Sequence, residues 1–295
     1  MEHDVLNHSL MEEPIASGQL FPISEFIDHF DSFPNGSFPA HWHHELELQI
    51  ILNGSAEYQV NGVSYLVNSG EAIYIAPNAI HSARQLSPNT IGYNIVLSLH
   101  RFRSLMRIIH CESYVRPMMN QSCTAFLILS DHKAGHRILE ILRRMYYTEN
   151  TGNAYELFLL ENSLGIWRNL LSLLPQRSQN EIAPPQILRE QRMRLMLDYI
   201  HQNYAQPISV SEISAAANVS QSECFRCFTE FSNSTPAEYL NEYRLLQASQ
   251  KLTSSQQSMS DICFSVGFNS TSYFSKRFKQ RYGMTPKEYR KKNQI

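Results

Sequence analysis

A stretch of about 25 residues occurs twice in the last third of this chain, and such an internal repeat constrains the fold more than any other feature of the sequence. SEISAAANVSQSECFRCFTEFSNSTPAEYL, from Ser211, returns as SDICFSVGFNSTSYFSKRFKQRYGMTPKEY, from Ser260. Ser220 and Ser270, Phe228 and Phe278, Pro236 and Pro286, and Tyr239 and Tyr289 lie 50 residues apart, whereas Ile213 and Ile262 lie 49 apart. One turn is therefore a residue longer in the second copy. Each copy reads as a short apolar helix, a polar turn that opens on Ser, and a second amphipathic helix. That is the helix-turn-helix pattern, which presents one helix to a major groove. Two copies imply two grooves.

At 295 residues the chain has room for two cores, since domains usually run about 100 to 200 residues. Its charge divides accordingly. From Arg189 onward 14 Lys and Arg face 9 Asp and Glu, whereas the preceding residues carry 11 against 18. The basic C-terminal part suits phosphate backbones; the alternative is a solvated face. No apolar run approaches the roughly 20 residues of a membrane span. MEHDVLNHSLMEEP lacks the basic-then-apolar layout of a secretory signal, which predicts a cytoplasmic, nucleoid-associated protein. Five irregularly spaced cysteines predict free thiols.

Between Phe38 and Leu99 the pattern is that of strands. ELELQIIL, SAEYQV, VSYLV, EAIYIA and IGYNIVLSL are short and rich in Val, Ile, Leu and Tyr, with Asn61-Gly62 as a type I′ hairpin turn. Short strands without intervening helices predict an antiparallel barrel over residues 1–130. After Asp131 the period becomes helical. One stripe holds Ile138, Leu139, Ile141, Leu142 and Met145, and a second holds Leu157, Leu160, Leu164, Trp167 and Leu171. These two helices, 131–174, are expected to pack together and to offer a surface for a homodimer. Pro175 to Ile187, rich in Pro, Gln and Ser, reads as a linker. Residues 188–295 then form an all-α domain of about seven helices, so the predicted fold class is multidomain β plus α.

In the first repeat Ser220 is an N-cap, and Cys224, Cys227, Phe228 and Phe231 bury one helix face by their i, i+3, i+4, i+7 spacing. This leaves Ser222, Phe225, Arg226 and Thr229 outward. Arg226 can pair bidentately with guanine O6 and N7, and Ser222 and Phe225 can meet a base edge and a thymine methyl. The bland alternative for Arg226 is a solvated or phosphate-contacting arginine. In the second repeat Ser270 is the cap, and Thr271, Ser272, Tyr273 and Lys276 look outward, with Arg277, Lys279 and Arg281 available for phosphates. Cys224 and Cys227 form a CxxC pair, but no second pair lies at zinc-site spacing, so the two are read as core.

The residues from Leu188 to Lys292 resemble the AraC/XylS family of bacterial transcription regulators, through the double motif and the Thr-Pro-x-x-Tyr at Thr235 and again at Thr285. The resemblance implies two recognition helices in successive major-groove segments about 34 Å apart, with Ser222, Phe225, Arg226, Thr271, Ser272, Tyr273 and Lys276 at the base-contacting positions. It also implies activation of metabolic genes, often carbohydrate-related, and RNA polymerase as a partner. Phe225 departs from the polar residue common at its position, which makes the first helix's readout partly apolar.

FPAHWHHELELQIILNG carries His41, His43, Glu47 and Gly54 in an arrangement similar to the first signature of cupin barrels, and Gly70 through Pro77 to His81 resembles a degraded second one. His41, His43 and Glu47 share parity, so an uninterrupted strand would point them into one interior. The family resemblance implies a small-molecule effector, often a sugar, held without a metal or other cofactor. The expected pocket is His41, His43, Glu47, Tyr58, Tyr74, His81 and Tyr93, with Trp42 as a further wall. A divalent metal at His41, His43, Glu47 and His81 is the alternative, as in a metal-dependent cupin enzyme fused to a DNA-binding domain. A regulator without any ligand is a third reading.

Overall fold

The computed structural model describes residues 21–108, 110–119, 123–148, 154–174 and 184–293. The acidic N-terminal segment read as lacking a secretory signal, and most of the expected linker, lie outside the described residues. Among the described residues nine antiparallel strands form two sheets. The first, of five strands, runs in the order β1 (Ile23–His29), β8 (Ile91–Leu97), β3 (Leu46–Asn53), β6 (Ala72–Ile75), β9 (Ala125–Ile128). The second, of four, runs β2 (Ser37–His41), β7 (His81–Gln85), β4 (Ser55–Val60), β5 (Val63–Asn68). The expected barrel is thus two sheets packed face to face. Phe30, Ile51, Ala56, Tyr58, Val60, Val67, Ile73 and Ile75 fill the space between them. Asn61 (φ 47°) and Gly62 (φ 82°) make the hairpin turn that the sequence predicts, between paired Val60 and Val63.

Alternation along the five-stranded sheet sends the other set of side chains outward. Leu46, Leu48, Ile50, Tyr74, Tyr93 and Ile95 belong to a core shared with two helices, α3 (Lys133–Tyr147) and α4 (Tyr155–Leu173). Two shorter helices, α1 (Leu99–Ile108) and α2 (Arg116–Met119), stand between β8 and β9, beyond the stretch from Phe38 to Leu99 in which strands follow one another without an α-helix. In α3 the predicted stripe is the buried one, with Ile138, Leu139, Leu142 and Met145 inside. In α4 Trp167 is buried as predicted, together with Leu159, Ile166 and Leu170, and Leu160 and Leu171 pack partly buried against the same core, whereas Leu157 and Leu164 point outward, 67% and 38% exposed. A helix that is apolar almost all round gives periodicity two candidate faces, and packing on the sheet selects one.

Among the described residues seven helices follow: α5 (Pro184–Asn203), α6 (Val210–Ala216), α7 (Gln221–Ser232), α8 (Pro236–Ser254), α9 (Met259–Ser265), α10 (Thr271–Tyr282) and α11 (Pro286–Asn293). Pro184 and Pro185, assigned to the linker, open α5, where the missing N–H groups cost nothing because the first turn has no intrahelical acceptors. The extra residue of the second repeat falls between α9 and α10. Each recognition helix starts at a serine whose hydroxyl accepts from the backbone three residues on, Ser220 from Glu223 and Ser270 from Tyr273. Gly267, at φ 87°, ends α9 where a Cβ would lie 2.5 Å from the Tyr204 carbonyl, so no other residue fits.

The helical half forms two cores, one per repeat. The first gathers Met193, Met196, Leu197, Ile200, Ile213, Cys224, Cys227, Phe228, Phe231, Tyr239 and Tyr243, together with Ala40 of β2 and Ile80, the residue before β7. Truncating a buried Phe of this kind to Ala typically costs about 3–5 kcal/mol. His201 lies in it, stacked on Tyr243 at 4.4 Å, with Nε2 2.8 Å from the Tyr239 hydroxyl. Burial pushes the His201 imidazole down to about 3, so it is neutral in the folded chain. An unfolded histidine titrates near 6.5, so between those values the unfolded chain binds one more proton. Stability from His201 is full above pH 6.5 and falls with pH below it, by about 1.4 kcal/mol per pH unit. Melting temperatures measured from pH 5 to 7 are expected to depend less steeply on pH in His201→Gln than in the parent chain.

Candidate functional site

Two sites emerge, one on the recognition helices and one between the sheets. On α7, Ser222, Phe225, Arg226 and Thr229 are exposed, and on α10, Thr271, Ser272, Tyr273 and Lys276 are exposed. Burial of Cys224, Cys227, Phe228 and Phe231, and of Phe274 and Phe278, fixes which face each helix presents. Both cysteines are free and inside the core. Arg226 rests against the Glu223 carboxylate at 2.5 Å one turn back, so it must leave that partner to reach a base. The three cations expected to meet phosphates are not equivalent. Arg277 and Arg281 turn toward Glu242 on α8, Arg281 at 2.6 Å, and Arg281 also donates toward the Ser37 hydroxyl of the sheet domain. Lys279 remains exposed. An i+4 pair of arginines over one buried-side carboxylate is favourable within the protein, and spacing alone does not reveal that competition.

The second site brings together His41, His43, Glu47 and His81, whose ligand atoms all lie within 4.8 Å of one another. They do not share one strand, as the parity argument supposed. His41 ends β2 in one sheet, Glu47 lies in β3 of the other, and His43 sits in the connection, so a corner rather than alternation makes them converge. His41 and His81 are cross-strand partners. Glu47 Oε2 lies 3.0 Å from His43 Nε2 and 3.1 Å from His81 Nε2, and Glu47 Oε1 accepts from the Asn94 amide at 3.0 Å. Burial opposes a charge on Glu47, but His81 and His43 beside it hold its carboxyl well below the usual range. Burial lowers His81 too, yet the Glu47 carboxylate outweighs it and the ring is raised. His41 is pushed well below its ordinary value by burial and by the neighbouring His81 and His43.

Tyr58 reaches the same interior and donates to Gln49, whose amide in turn donates to Asp28 at 2.5 Å. Tyr74 and Tyr93 do not belong to the site. Both occupy outward positions of the five-stranded sheet, Tyr74 stacked on Phe126 and Tyr93 donating to Glu25 beside α4. Trp42 packs against α5 rather than lining the interior, with the Arg194 guanidinium 5.8 Å from its ring centre. Gln49, Asn94 and Asp28 were missed. Gln49 carried a signal, since it stands two residues beyond Glu47 on the same strand and therefore on the same face. Asn94 is its register partner on β8, which only pairing reveals. Replacing Asn94 with Ala leaves Glu47 Oε1 buried without its donor, at a cost of about 1–3 kcal/mol that a lowered melting temperature would report.

The comparisons with known proteins agree with this layout. Residues 26–164 match the model of an AraC-like ligand binding domain, and residues 213–292 match a helix-turn-helix domain. An uncharacterised HTH-type transcriptional regulator, YdeC of Bacillus subtilis, is 28% identical over 99% of this chain and 100% of its own length. The HTH-type transcriptional activator RhaS of Escherichia fergusonii is 23% identical over 87% of this chain and 89% of its own. Among solved structures, an apo variant of ToxT from Vibrio cholerae shares the fold, with a TM-score of 0.50 at 16% identity over 92% of this chain and 98% of that one. Among the described residues no helix is long and apolar enough to cross a membrane. An AraC-like sheet domain that receives a ligand, joined to a double helix-turn-helix that receives DNA, places this chain in the AraC family of ligand-responsive transcription regulators.

Proposed function

We propose that the chain is a cytoplasmic, non-enzymatic activator that works as a homodimer and takes a small polar effector at the cluster of His41, His43, Glu47, Tyr58 and His81. The single observation that carries this reading is the contact between the two halves at that cluster. Ala40 and Ile80, neighbours of His41 and His81, pack into the core of the first helix-turn-helix unit, so a ligand in the sheets acts within one residue of the core that carries the first recognition helix. Activation follows from the likeness to RhaS, itself an activator. A sugar suits the interior hydrogen-bonding line of Asp28, Gln49 and Tyr58, as would any small hydroxylated ligand. RNA polymerase is the partner that an activator requires.

Base reading is assigned to Ser222, Phe225 and Arg226 on α7 and to Thr271, Ser272, Tyr273 and Lys276 on α10. The dimer is assigned to the outward face of α4, where Leu157 and Leu164 stand two turns apart, as in a helix-pairing seam. DNA selected from a random pool by the full chain is expected to contain two half-sites about 10 base pairs apart. Arg226→Ala and Lys276→Ala should each weaken binding to that DNA by about 1–3 kcal/mol and binding to random DNA much less. Equal losses on both would overturn the assignment. Light scattering should find the parent chain dimeric and the Leu157→Glu, Leu164→Glu double variant monomeric.

A further inference from the structure

The three histidines of the cluster are oriented alike. His41 Nδ1 lies 3.0 Å from the Pro39 carbonyl, His43 Nδ1 3.2 Å from the Glu45 carbonyl, and His81 Nδ1 2.9 Å from the Ala79 carbonyl. A carbonyl oxygen only accepts, so each Nδ1 carries a ring hydrogen and Nε2 is the nitrogen that each ring turns to the cluster. Two of those Nε2 atoms face Glu47 Oε2 at 3.0 and 3.1 Å, while Asn94 occupies Oε1 and aims the other oxygen inward. Two nitrogens are held on one carboxylate oxygen by ring protons or by a metal ion between them. Imidazoles fixed by Nδ1–H bonds to backbone carbonyls, with a carboxylate fixed by an amide, are the outer contacts that orient metal ligands.

We infer that His41, His43, Glu47 and His81 bind one divalent transition-metal ion, and that its arrival is transmitted to the first helix-turn-helix unit through the backbone of Pro39 to Trp42. Three imidazoles and one carboxylate favour zinc, nickel, iron or copper over magnesium or calcium. Ligand atoms on one tetrahedral zinc stand about 3.4 Å apart, and trans ligands on a six-coordinate ion about 4.2 Å, against the 4.8 Å that bounds this set, so closure asks for a shift of about an ångström. The segment that must shift is the one the helical half holds. The Ala40 carbonyl accepts from the Tyr239 hydroxyl at 2.7 Å, and that hydroxyl oxygen accepts from His201. The Asn78 carbonyl, three residues before His81, accepts from Arg194 at 2.6 Å. Ala40 and Trp42 pack into the core built on α5, α7 and α8, while His41, at the end of β2, and His43, in the connection that follows, turn toward Glu47.

The transmission rests on the ligand-responsive reading above; the ion site does not. Full-length chain stripped with EDTA is titrated calorimetrically with Ni²⁺, with Zn²⁺ and with Mg²⁺. The expected result is one Ni²⁺ or Zn²⁺ per chain, no Mg²⁺, and affinity at least about tenfold weaker in Glu47→Gln and in His41→Ala, both with unchanged circular dichroism. Absence of stoichiometric binding, or equal affinity in the two variants, overturns the site. Affinity for the selected DNA is then measured with and without Ni²⁺. It should change by at least about fivefold in the parent chain and by less in Tyr239→Phe, whose Ni²⁺ affinity stays the same. A bound ion with no change in DNA affinity overturns the transmission. A chain that binds Ni²⁺ but selects no DNA in either state refutes the regulatory reading, and the transmission with it, while the ion count stands.

Discussion

The segment from Pro39 to Trp42 faces two ways, and the structure depends on it. Its backbone and its odd-numbered His41 turn toward Glu47 and His81, while Ala40 and Trp42 turn into the core of α5, α7 and α8. A β-strand offers this division at no cost, because successive side chains leave opposite faces. The Tyr239 hydroxyl, donating to the Ala40 carbonyl, then ties a side chain of α8 to the backbone of β2 across the two halves. Gln59 adds a second tie, donating to the Glu230 carbonyl near the end of α7. Small rearrangements between the sheets therefore reach the recognition helix through packed atoms rather than through solvent.

The cluster between the sheets is an unusual use of a sheet interior. Most of that interior is Ile, Val, Ala and Tyr, and a carboxylate there is tolerable only with partners on both oxygens. Glu47 has three: His43 and His81 on one oxygen, Asn94 on the other. An unliganded regulator packed solid with apolar side chains would need none of this. The buried charge argues for a ligand that uses it, and its position beside the docking surface argues for a consequence.

The two repeats diverge in what surrounds them. Tyr239 and Tyr289 occupy the same place in the motif, yet Tyr239 reaches out to the sheet domain while Tyr289 packs on Phe278 and Tyr282 inside its own unit. The second recognition helix is the more basic, but Glu242 draws two of its arginines inward. Its advantage in phosphate affinity is smaller than its composition implies. The first helix is less charged, and its core is the one that Ala40 and Ile80 enter, which makes it the copy whose placement a ligand can alter.

The sequence by itself determined the helix-turn-helix pair, its capping serines, the buried faces of α7 and α10, the hairpin at Asn61-Gly62 and most of the strands. These are local matters of period, cap and turn, and neighbouring residues settle them. Sequence also picked out His41, His43, Glu47 and His81, although for a reason of parity that the corner between β2 and β3 replaces. Tertiary structure decided which aromatic rings join the site. Tyr58 faces inward, whereas Tyr74 and Tyr93 lie on sheet faces that the α3–α4 pair covers. It also chose the buried face of α4, assigned Asn94 to Glu47 through strand register, and turned Arg277 and Arg281 toward Glu242. Each of these depends on residues distant in sequence competing for the same surface or the same charge, and no local pattern records the outcome of that competition.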